Sequence, residues 1–212
     1  VYVTDYSNAS RTQLLNLKKL EWDSEICSAF NIPVNVLPTL KDSDSLMCES
    51  DFEGIFPQKI PVHSAMGDSH AALYGQNCVE PGMCKSTFGT GSSIMLNTGD
   101  KIIDSKYRLS RSVGWKSKSG LYYVLEANIN YTGSVISWLI KDVGLLKDID
   151  ESHTLPQQSS STDTTMLIPA FSGLGAPYWN SKLKAVFLGM SRETGRAEMV
   201  RASVDSIAYQ IT

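Results

Sequence analysis

Residues 84–99 carry the pattern that most restricts how this chain can fold. Two runs of strand-forming residues flank a short glycine-rich segment, which predicts two strands joined by a tight turn at residues 89–91. A strand is predicted over residues 121–127, and apolar residues then recur at helical spacing between residues 133 and 146. A hairpin followed by a strand and a helix predicts an α/β fold, with a mixed β-sheet flanked by helices.

The segments before the hairpin are less regular. Residues 11–20 have leucines at helical spacing and predict an amphipathic helix. Two prolines argue against a helix in residues 31–38, and the polar, acidic residues 41–56 predict a surface connection. We place a boundary between two lobes near residues 57–66, followed by a short helix at residues 71–76.

The segments after the helix at residues 133–146 alternate again between polar and apolar. Residues 147–165 are rich in Ser and Thr and predict a solvated loop. Short strands are predicted at residues 166–171 and 185–190, with a Gly- and Pro-rich structured loop between them. From residue 197 onward, apolar positions spaced by three and four residues predict a helix.

Composition narrows the classes of partner. Nineteen Lys and Arg against 22 Asp and Glu give a net charge of −3, with no basic stripe to bind a nucleic acid or an anionic membrane. No uninterrupted apolar stretch approaches the ~18 residues of a membrane span, and the first residues lack the layout of a signal peptide. The four cysteines lack C-x-x-C spacing, which indicates reduced thiols rather than zinc ligands. We therefore expect a cytoplasmic protein.

Both ends of the sequence look cut. Val1 opens inside a segment with the composition of folded structure, and Thr212 falls within a helical pattern that has neither a cap nor a glycine stop signal. This pattern leads us to expect a fragment of a longer protein.

Five segments resemble, in order and spacing, the FGGY family of carbohydrate kinases. They are TDYSNASRT (4–12), GDSHAALYGQ (67–76), STFGTGSS (86–93), FSGLGAPYW (171–179) and AVFLGMSRETGRAEMVRASVD (185–205). The likeness is weakest at residues 41–60 and 147–165. It implies the actin-like, ribonuclease-H-like ATPase fold, with residues 1–62 as the end of the N-terminal domain and its connection. Residues 63–212 would be the first part of the C-terminal, nucleotide-binding domain.

The resemblance also implies a reaction. Members of this family transfer the γ-phosphoryl group of ATP, with Mg²⁺, to a hydroxyl of a small polyol or sugar, and the likeness is greatest to the members that phosphorylate glycerol. A kinase for a larger, xylulose-type ketose and a folded fragment without catalysis are the alternatives. The family's first phosphate loop and its glycine-rich adenine motif have no counterpart here, so we expect no turnover from this chain alone. For the full-length protein we expect a homo-oligomer.

Asp68 is the candidate catalytic base and the one possible Mg²⁺ ligand. It follows Gly67 at the start of the predicted helix at residues 71–76, where backbone amides and the helix terminus can hold an anion. From spacing alone, a helix cap is the simpler explanation. The resemblance places Asp68 at the family's catalytic aspartate, and the two roles are compatible.

The candidate nucleotide contacts are Gly89, Thr90, Gly91, Gly133 and Ser137. A Gly-Thr-Gly between strands is usually a plain hairpin turn, although its amides and the threonine hydroxyl could donate to phosphate oxygens. The resemblance assigns Thr90 and Gly133 to the nucleotide, and Ser137 occupies the place of a glutamine in the glycerol-phosphorylating members. Close helix packing is the alternative for Gly133.

Three further residues bear on substrate and chemistry. Ser69 and Ser93 lie where glycerol-phosphorylating members of the family carry a glutamine and a phenylalanine, so we expect an acceptor pocket that is wider and takes acceptors other than, or broader than, glycerol. His70, with Ser69 and Asp68 beside it, suggests a hydrolytic triad. Side chains one and two positions apart rarely meet in that geometry, which argues against a hydrolase.

Overall fold

The structure, a computed structural model, describes residues 2–211 and divides into two compact units. The first unit contains the residues up to 85 together with residues 95–126, and the second contains residues 86–94 together with the residues from 127 onward. Each unit therefore draws on two separate stretches of the chain. The lobe boundary near residues 57–66 stays a prediction.

Twelve strands and six α-helices lie between residues 2 and 211. The strands are β1 (Val3–Asp5), β2 (Leu15–Asn16), β3 (Glu21–Trp22), β4 (Thr39–Lys41), β5 (Cys48–Ser50), β6 (Ile60–Val62), β7 (Cys84–Phe88), β8 (Ser92–Gly99), β9 (Ser110–Ser117), β10 (Gly120–Ile129), β11 (Met166–Ile168) and β12 (Val186–Leu188). The helices are α1 (Tyr6–Arg11), α2 (Ser24–Ala29), α3 (Asp68–Gly75), α4 (Gly133–Lys141), α5 (Glu151–Thr154) and α6 (Arg196–Tyr209). The predicted α/β class is confirmed.

The largest sheet has the strand order β7-β8-β10-β9. Its antiparallel β9–β10 pair changes register once: Tyr122 lies opposite Trp115, whereas Tyr123 lies opposite Val113, so Gly114 is left over as a β-bulge. Two-stranded sheets complete the described part of the chain, with β1 and β4 parallel and the pairs β2–β3, β5–β6 and β11–β12 antiparallel.

Two apolar clusters form the core of the first unit, and β9 and β10 each contribute residues to both. Trp115, 1% exposed, stacks on Tyr122 with 4.7 Å between ring centroids and packs with Leu73 of α3. Val113 and Tyr123 belong to the other cluster, which includes residues of α1 and β2. In the second unit, α4 packs against α6 through a cluster of Leu139, Leu146 and Val200.

The helix predicted over residues 11–20 is wrong. The helix in this region is α1, which begins five residues earlier because the buried Asp5 caps it, accepting the amides of Ser7 and Asn8. Gln13 and Leu20 then adopt positive φ angles of 65° and 57°, which a helix does not allow. Of the leucines at helical spacing, Leu14 lies just before β2, and Leu17 and Leu20 lie in the turn between β2 and β3.

Two segments predicted as loops contain regular structure. Residues 41–56 include β5, and Ser43 and Met47 are buried there. Residues 147–165 include α5 and a 3₁₀ turn, because Asp148 accepts the amide of Glu151 and Glu151 pairs with Arg196 of α6. Polar composition misled the prediction in both segments, since their side chains bind other parts of the same unit.

The remaining predicted elements are present with shifted ends. The short helix begins at Asp68 rather than at residue 71. The strand predicted at residues 121–127 is β10, which is longer by one residue at its start and two at its end. Helix α4 ends at Lys141 because Gly144 takes a φ of 70° and the amide of Leu145 bonds back to the Leu139 carbonyl. Helix α6 ends at Tyr209, and Thr212 lies outside the described residues.

None of the helices in residues 2–211 is long and apolar enough to cross a membrane.

Candidate functional site

The candidate base Asp68 is the first residue of α3, and Gly67 takes the N-cap position. Its side chain is exposed; Oδ1 accepts the amide of Ser69 at 2.6 Å, and Oδ2 accepts no hydrogen bond from residues 2–211. A carboxylate in the first turn is stabilised by the helix dipole. Asp68 is thus not the N-cap residue, and one of its oxygens faces solvent.

His70 lies two residues later and is buried, with 2% of its surface exposed. Its Nε2 atom is 3.0 Å from Ser112 Oγ on β9. The pKa of His70 is lowered to about 4, mainly by burial and also by the charge of Arg11, while Glu126 and Asp5 act in the opposite direction. The imidazole is therefore neutral near pH 7 and pairs with Ser112, so Asp68, Ser69 and His70 do not form a triad.

The space around Gly67 explains the glycine at this position. A Cβ atom added there would lie 2.9 Å from His70 Nδ1. The amide of Gly67 is buried and donates to Ser7 Oγ at 2.8 Å. The backbone that enters α3 is therefore held on both sides before Asp68.

In the second unit, the structure brings the glycine turn at residues 89–91 against the start of α4. The amides of Gly133 and Ser134 donate to the carbonyls of Gly89 and Thr90, each at 3.0 Å. The Thr132 hydroxyl also donates to the Gly89 carbonyl, at 3.1 Å, and accepts a bond from Ser92. Four of the five predicted nucleotide contacts therefore lie in one small substructure.

Close backbone approach accounts for two of these glycines. A Cβ atom at Gly133 would lie 2.5 Å from the Gly89 carbonyl oxygen, and one at Gly91 would lie 2.6 Å from the Ile129 oxygen. At Gly89 the nearest atom would be 3.5 Å away, an ordinary contact. The packing explanation for Gly133 is therefore correct for its surroundings, and its contact with a nucleotide stays a prediction.

The turn offers fewer donors than its sequence suggests. The Gly89 amide is already bonded to the Gly91 carbonyl at 2.9 Å, and the first amides of α4 bond to the turn. Three donors, the amides of Thr90 and Gly91 and the exposed Thr90 hydroxyl, have no acceptor within residues 2–211. An anion at this turn would therefore contact residues 90 and 91.

The other predicted contacts are more dispersed. Ser137 is exposed on α4, one turn after Gly133. Ser93 is half-buried in β8 of the second unit, and Ser69 is half-buried in α3 of the first. Sequence reasoning missed Ser134, whose hydroxyl is buried without a hydrogen-bond partner in the described part of the chain. No motif marks this serine, because its burial depends on the turn packed against it.

No group of three or more His, Cys, Asp or Glu side chains in residues 2–211 could hold a metal ion. The four cysteines are free thiols: Cys27 and Cys78 are buried, Cys48 is half-buried and Cys84 is exposed.

Comparison with known proteins identifies the class. The model of the C-terminal domain of the FGGY family of carbohydrate kinases matches residues 84–212, and the model of its N-terminal domain matches residues 1–75. The chain belongs to the FGGY family of carbohydrate kinases, which confirms the resemblance seen in the sequence.

Its relatives include several glycerol kinases. Glycerol kinase 1 of Thermotoga maritima is 47% identical over 211 residues, covering 100% of this chain and 43% of the relative. The glycerol kinase of Paraburkholderia phytofirmans is 42% identical over 210 residues, covering 99% of this chain and 42% of the relative. The chain thus spans less than half the length of these relatives.

Solved structures confirm the fold. The Plasmodium falciparum glycerol kinase with ADP superposes with a TM-score of 0.87 at 36% identity, covering 99% of this chain and 42% of that one. A ligand-bound xylulose kinase from Lactobacillus acidophilus has a TM-score of 0.82 at 22% identity, covering 99% of this chain and 43% of that one, a likeness of fold alone. This is the actin-like ATPase fold of the FGGY sugar kinases.

Proposed function

We propose that this chain is part of an ATP-dependent, glycerol-kinase-like phosphotransferase that phosphorylates a hydroxyl of a small polyol or sugar. The observation that carries the proposal is the Asp68 carboxylate. It begins α3, is exposed, and keeps Oδ2 free of bonds from residues 2–211. Membership of the FGGY family supports the reaction class.

Asp68 would act as the general base. Oδ2 would accept the proton of the acceptor hydroxyl while the oxygen of that hydroxyl forms a bond to the γ-phosphorus of ATP. The bond between the γ-phosphorus and the leaving ADP oxygen breaks at the same time. The bond from the Ser69 amide to Oδ1 holds the carboxylate plane while the second oxygen stays open to substrate. This division between the two oxygens gives one side chain both structural and chemical roles.

The nucleotide side of the proposal rests on the glycine turn. The amides of residues 90 and 91 and the Thr90 hydroxyl are donors without acceptors in residues 2–211, the kind of groups that hold phosphate oxygens. Gly133 lets the turn approach α4, and exposed Ser137 lies on the same helix. The ADP present with the Plasmodium falciparum relative supports assigning a nucleotide to this fold.

The Mg²⁺ of the proposed reaction fits a site with few protein ligands. Mg²⁺ in kinases keeps several waters and binds through one or two carboxylates together with substrate phosphates. Asp68 is the one carboxylate proposed to take part, and its Oδ2 accepts no hydrogen bond from residues 2–211. When bound, the ion would neutralise charge on the transferring phosphoryl group.

The acceptor is proposed to extend beyond glycerol. Serine at positions 69 and 93 leaves more room than glutamine and phenylalanine would, and adds hydroxyl groups that can pair with further substrate hydroxyls. The glycerol kinases among the relatives support a polyol, whereas the xylulose kinase likeness supports the fold alone. A larger ketose therefore stays as the alternative acceptor.

A panel of acceptors assayed with the full-length protein tests the proposal. We expect ATP-dependent formation of a phosphate ester from glycerol and from four- or five-carbon polyols. A kcat/KM for glycerol far above that for every larger acceptor would contradict the argument from the serines. The absence of a phosphate ester with every acceptor would contradict the function itself.

The proposal also covers the domain organisation, the location and the oligomeric state of the full-length protein. We propose that residues 1–62 close the N-terminal domain and residues 63–212 begin the C-terminal domain, that the full-length protein is a cytoplasmic homo-oligomer, and that it binds neither nucleic acid nor membrane. The 212-residue chain on its own is expected to form no phosphate ester, because catalysis by positioning fails when some of the positioning groups are missing. A phosphate ester above the no-enzyme rate would contradict this expectation.

A further inference from the structure

A buried network of hydrogen bonds connects β1 to the start of α3. Asp5, with 0% of its surface exposed, accepts the Ser7 hydroxyl at 2.7 Å and the Ser43 hydroxyl at 2.8 Å. Ser7 is also 0% exposed, and its Oγ accepts the Gly67 amide at 2.8 Å. The connection therefore joins residues 60 positions apart and ends one residue before Asp68.

The donor and the acceptor of each hydrogen bond in this network are fixed. The Asp5 carboxylate only accepts, and it also takes the amides of Ser7 and Asn8 and the Asn8 side-chain amide. The single hydroxyl proton of Ser7 therefore goes to Asp5, which leaves the Ser7 lone pairs directed at Gly67. A hydroxyl with no such anion beside it would be free to rotate and donate elsewhere.

Within residues 2–211, Ser7 Oγ is the one acceptor of the amide of Gly67, the N-cap residue of α3. Gly67 has no side chain to cap α3, and a bulkier residue would meet His70 Nδ1 at 2.9 Å. Its carbonyl accepts the Ala71 amide at 2.8 Å, the first bond of the helix. A shift of Gly67 would therefore move the first turn of α3 and with it the carboxylate of Asp68.

We propose that Ser7, oriented by Asp5, is a positioning residue that fixes Asp68 for proton transfer. The inference deepens the proposed function and rests on it for its catalytic part. Ser7 acts through Gly67 and does not touch the substrate. Its contribution is expected mainly in kcat, because the geometry of the base matters for the reaction step more than for ATP binding.

The test compares two serines of α1 in the full-length protein. Ser7→Ala removes the bond to Gly67, and Ser10→Ala is the matched control, since Ser10 is also buried but bonds to the Ser7 carbonyl and the Val113 amide. Both variants lose one buried hydroxyl, and we expect similar losses of stability. Ser7→Ala should lower kcat by about 10- to 100-fold with KM for ATP nearly unchanged, and Ser10→Ala by less than about 3-fold.

A double-mutant cycle separates positioning from general damage. In an Asp68→Asn background, Ser7→Ala should lower kcat by less than about 3-fold, because the base that it positions is already gone. Equal losses of kcat in Ser7→Ala and Ser10→Ala, or a full further loss in the Asp68→Asn background, would overturn the inference.

Amide exchange tests the same connection without any activity. In the 212-residue chain, Ser7→Ala should speed exchange of the Gly67 and Ala71 amides by about tenfold or more, and Ser10→Ala should not, since a lost hydrogen bond opens the amide locally. Unchanged exchange in Ser7→Ala would overturn the inference even if the protein is a kinase. Faster exchange in a protein that phosphorylates no acceptor would instead leave the connection standing and refute the function.

Discussion

The two candidate regions, one in each compact unit, are built from different kinds of bond. The start of α3 in the first unit is held by side chains, with Ser7 Oγ accepting the Gly67 amide and His70 filling the space beside it. The turn at residues 89–91 in the second unit is held by backbone groups, whose amides and carbonyls bond directly across to α4. The first arrangement can be altered one side chain at a time, whereas the second is sensitive to a Cβ atom added at Gly91 or Gly133.

The largest expected effect tests the chemistry of Asp68 at the start of α3, the region held by side chains. Asp68→Asn keeps the shape of the side chain but cannot take the proton, and we expect kcat of the full-length protein to fall by roughly two to four orders of magnitude. ATP affinity, measured by titration calorimetry, should change much less. An unchanged kcat with a loss of about 1 kcal/mol in stability would show that Asp68 serves only the helix terminus.

The second effect concerns the neutral His70. The His70 imidazole becomes protonated near pH 4 in the folded chain and near pH 6.5 in the unfolded chain. The unfolded state therefore binds more protons between these two pH values. The stability gained from the neutral imidazole is present above pH 6.5 and is lost as the pH falls towards 4, by up to about 3 kcal/mol. Urea unfolding of the 212-residue chain at several pH values measures this loss.

His70→Gln should remove that part of the pH dependence, and His63→Gln is the control because His63 is exposed. Parallel stability curves for the unsubstituted chain and His70→Gln between pH 4 and 6.5 would contradict the origin assigned here.

The third effect tests the turn at residues 89–91, the region held by backbone groups. Gly133→Ala would place Cβ 2.5 Å from the Gly89 carbonyl oxygen, whereas Gly89→Ala meets nothing closer than 3.5 Å. We expect Gly133→Ala to lower the free energy of unfolding by about 1–3 kcal/mol and to weaken ATP binding, because the turn must move away from α4. Gly89→Ala should change stability by less than about 0.5 kcal/mol. Equal effects of the two alanines would show that the close approach is not maintained in solution.

The smallest effect concerns acceptor choice. Ser93→Phe places an aromatic ring where the glycerol-phosphorylating family members are expected to have one, and should shift the ratio of kcat/KM values towards glycerol by about tenfold, since a changed pocket surface is worth about 1–3 kcal/mol. Competition between glycerol and a five-carbon polyol measures the ratio directly. A ratio unchanged by the substitution would place position 93 outside the acceptor pocket.

The sequence predicted the hairpin of β7 and β8 and the strand β10 because strand-forming residues and a glycine turn mark them locally. It did not predict β9, in which Ser112, Val113, Gly114 and Trp115 are all buried, so that apolar and polar residues do not alternate along it. A strand covered on both sides, with serine and glycine among its buried residues, resembles a loop in composition.

The candidate residues of the site could be named from the motifs, but their surroundings could not. Ser7 meets Gly67 across 60 positions of sequence, and the partner of His70 is Ser112 on a strand that was not predicted. Likewise the Gly89 amide is bonded within its own turn, which no residue pattern reveals. Local motifs identify residue types, whereas hydrogen-bond partners depend on how distant segments pack.

The bulge at Gly114 decides on which face of β9 the side chains of Val113 and Trp115 lie. Val113 and Trp115 would point to the same face of a regular strand, yet they pack in separate apolar clusters, because the extra residue reverses the alternation between them. Deleting Gly114 would make Val113 and Trp115 neighbours in a regular strand, so each side chain would keep its face. Pairing Gly114 as an ordinary strand residue would instead bring both side chains to one face, leaving one cluster short of a residue and the other overfilled. Natural variants of this protein should therefore have either the bulge or one residue fewer between Val113 and Trp115, while the loop at residues 100–109 tolerates longer insertions and deletions.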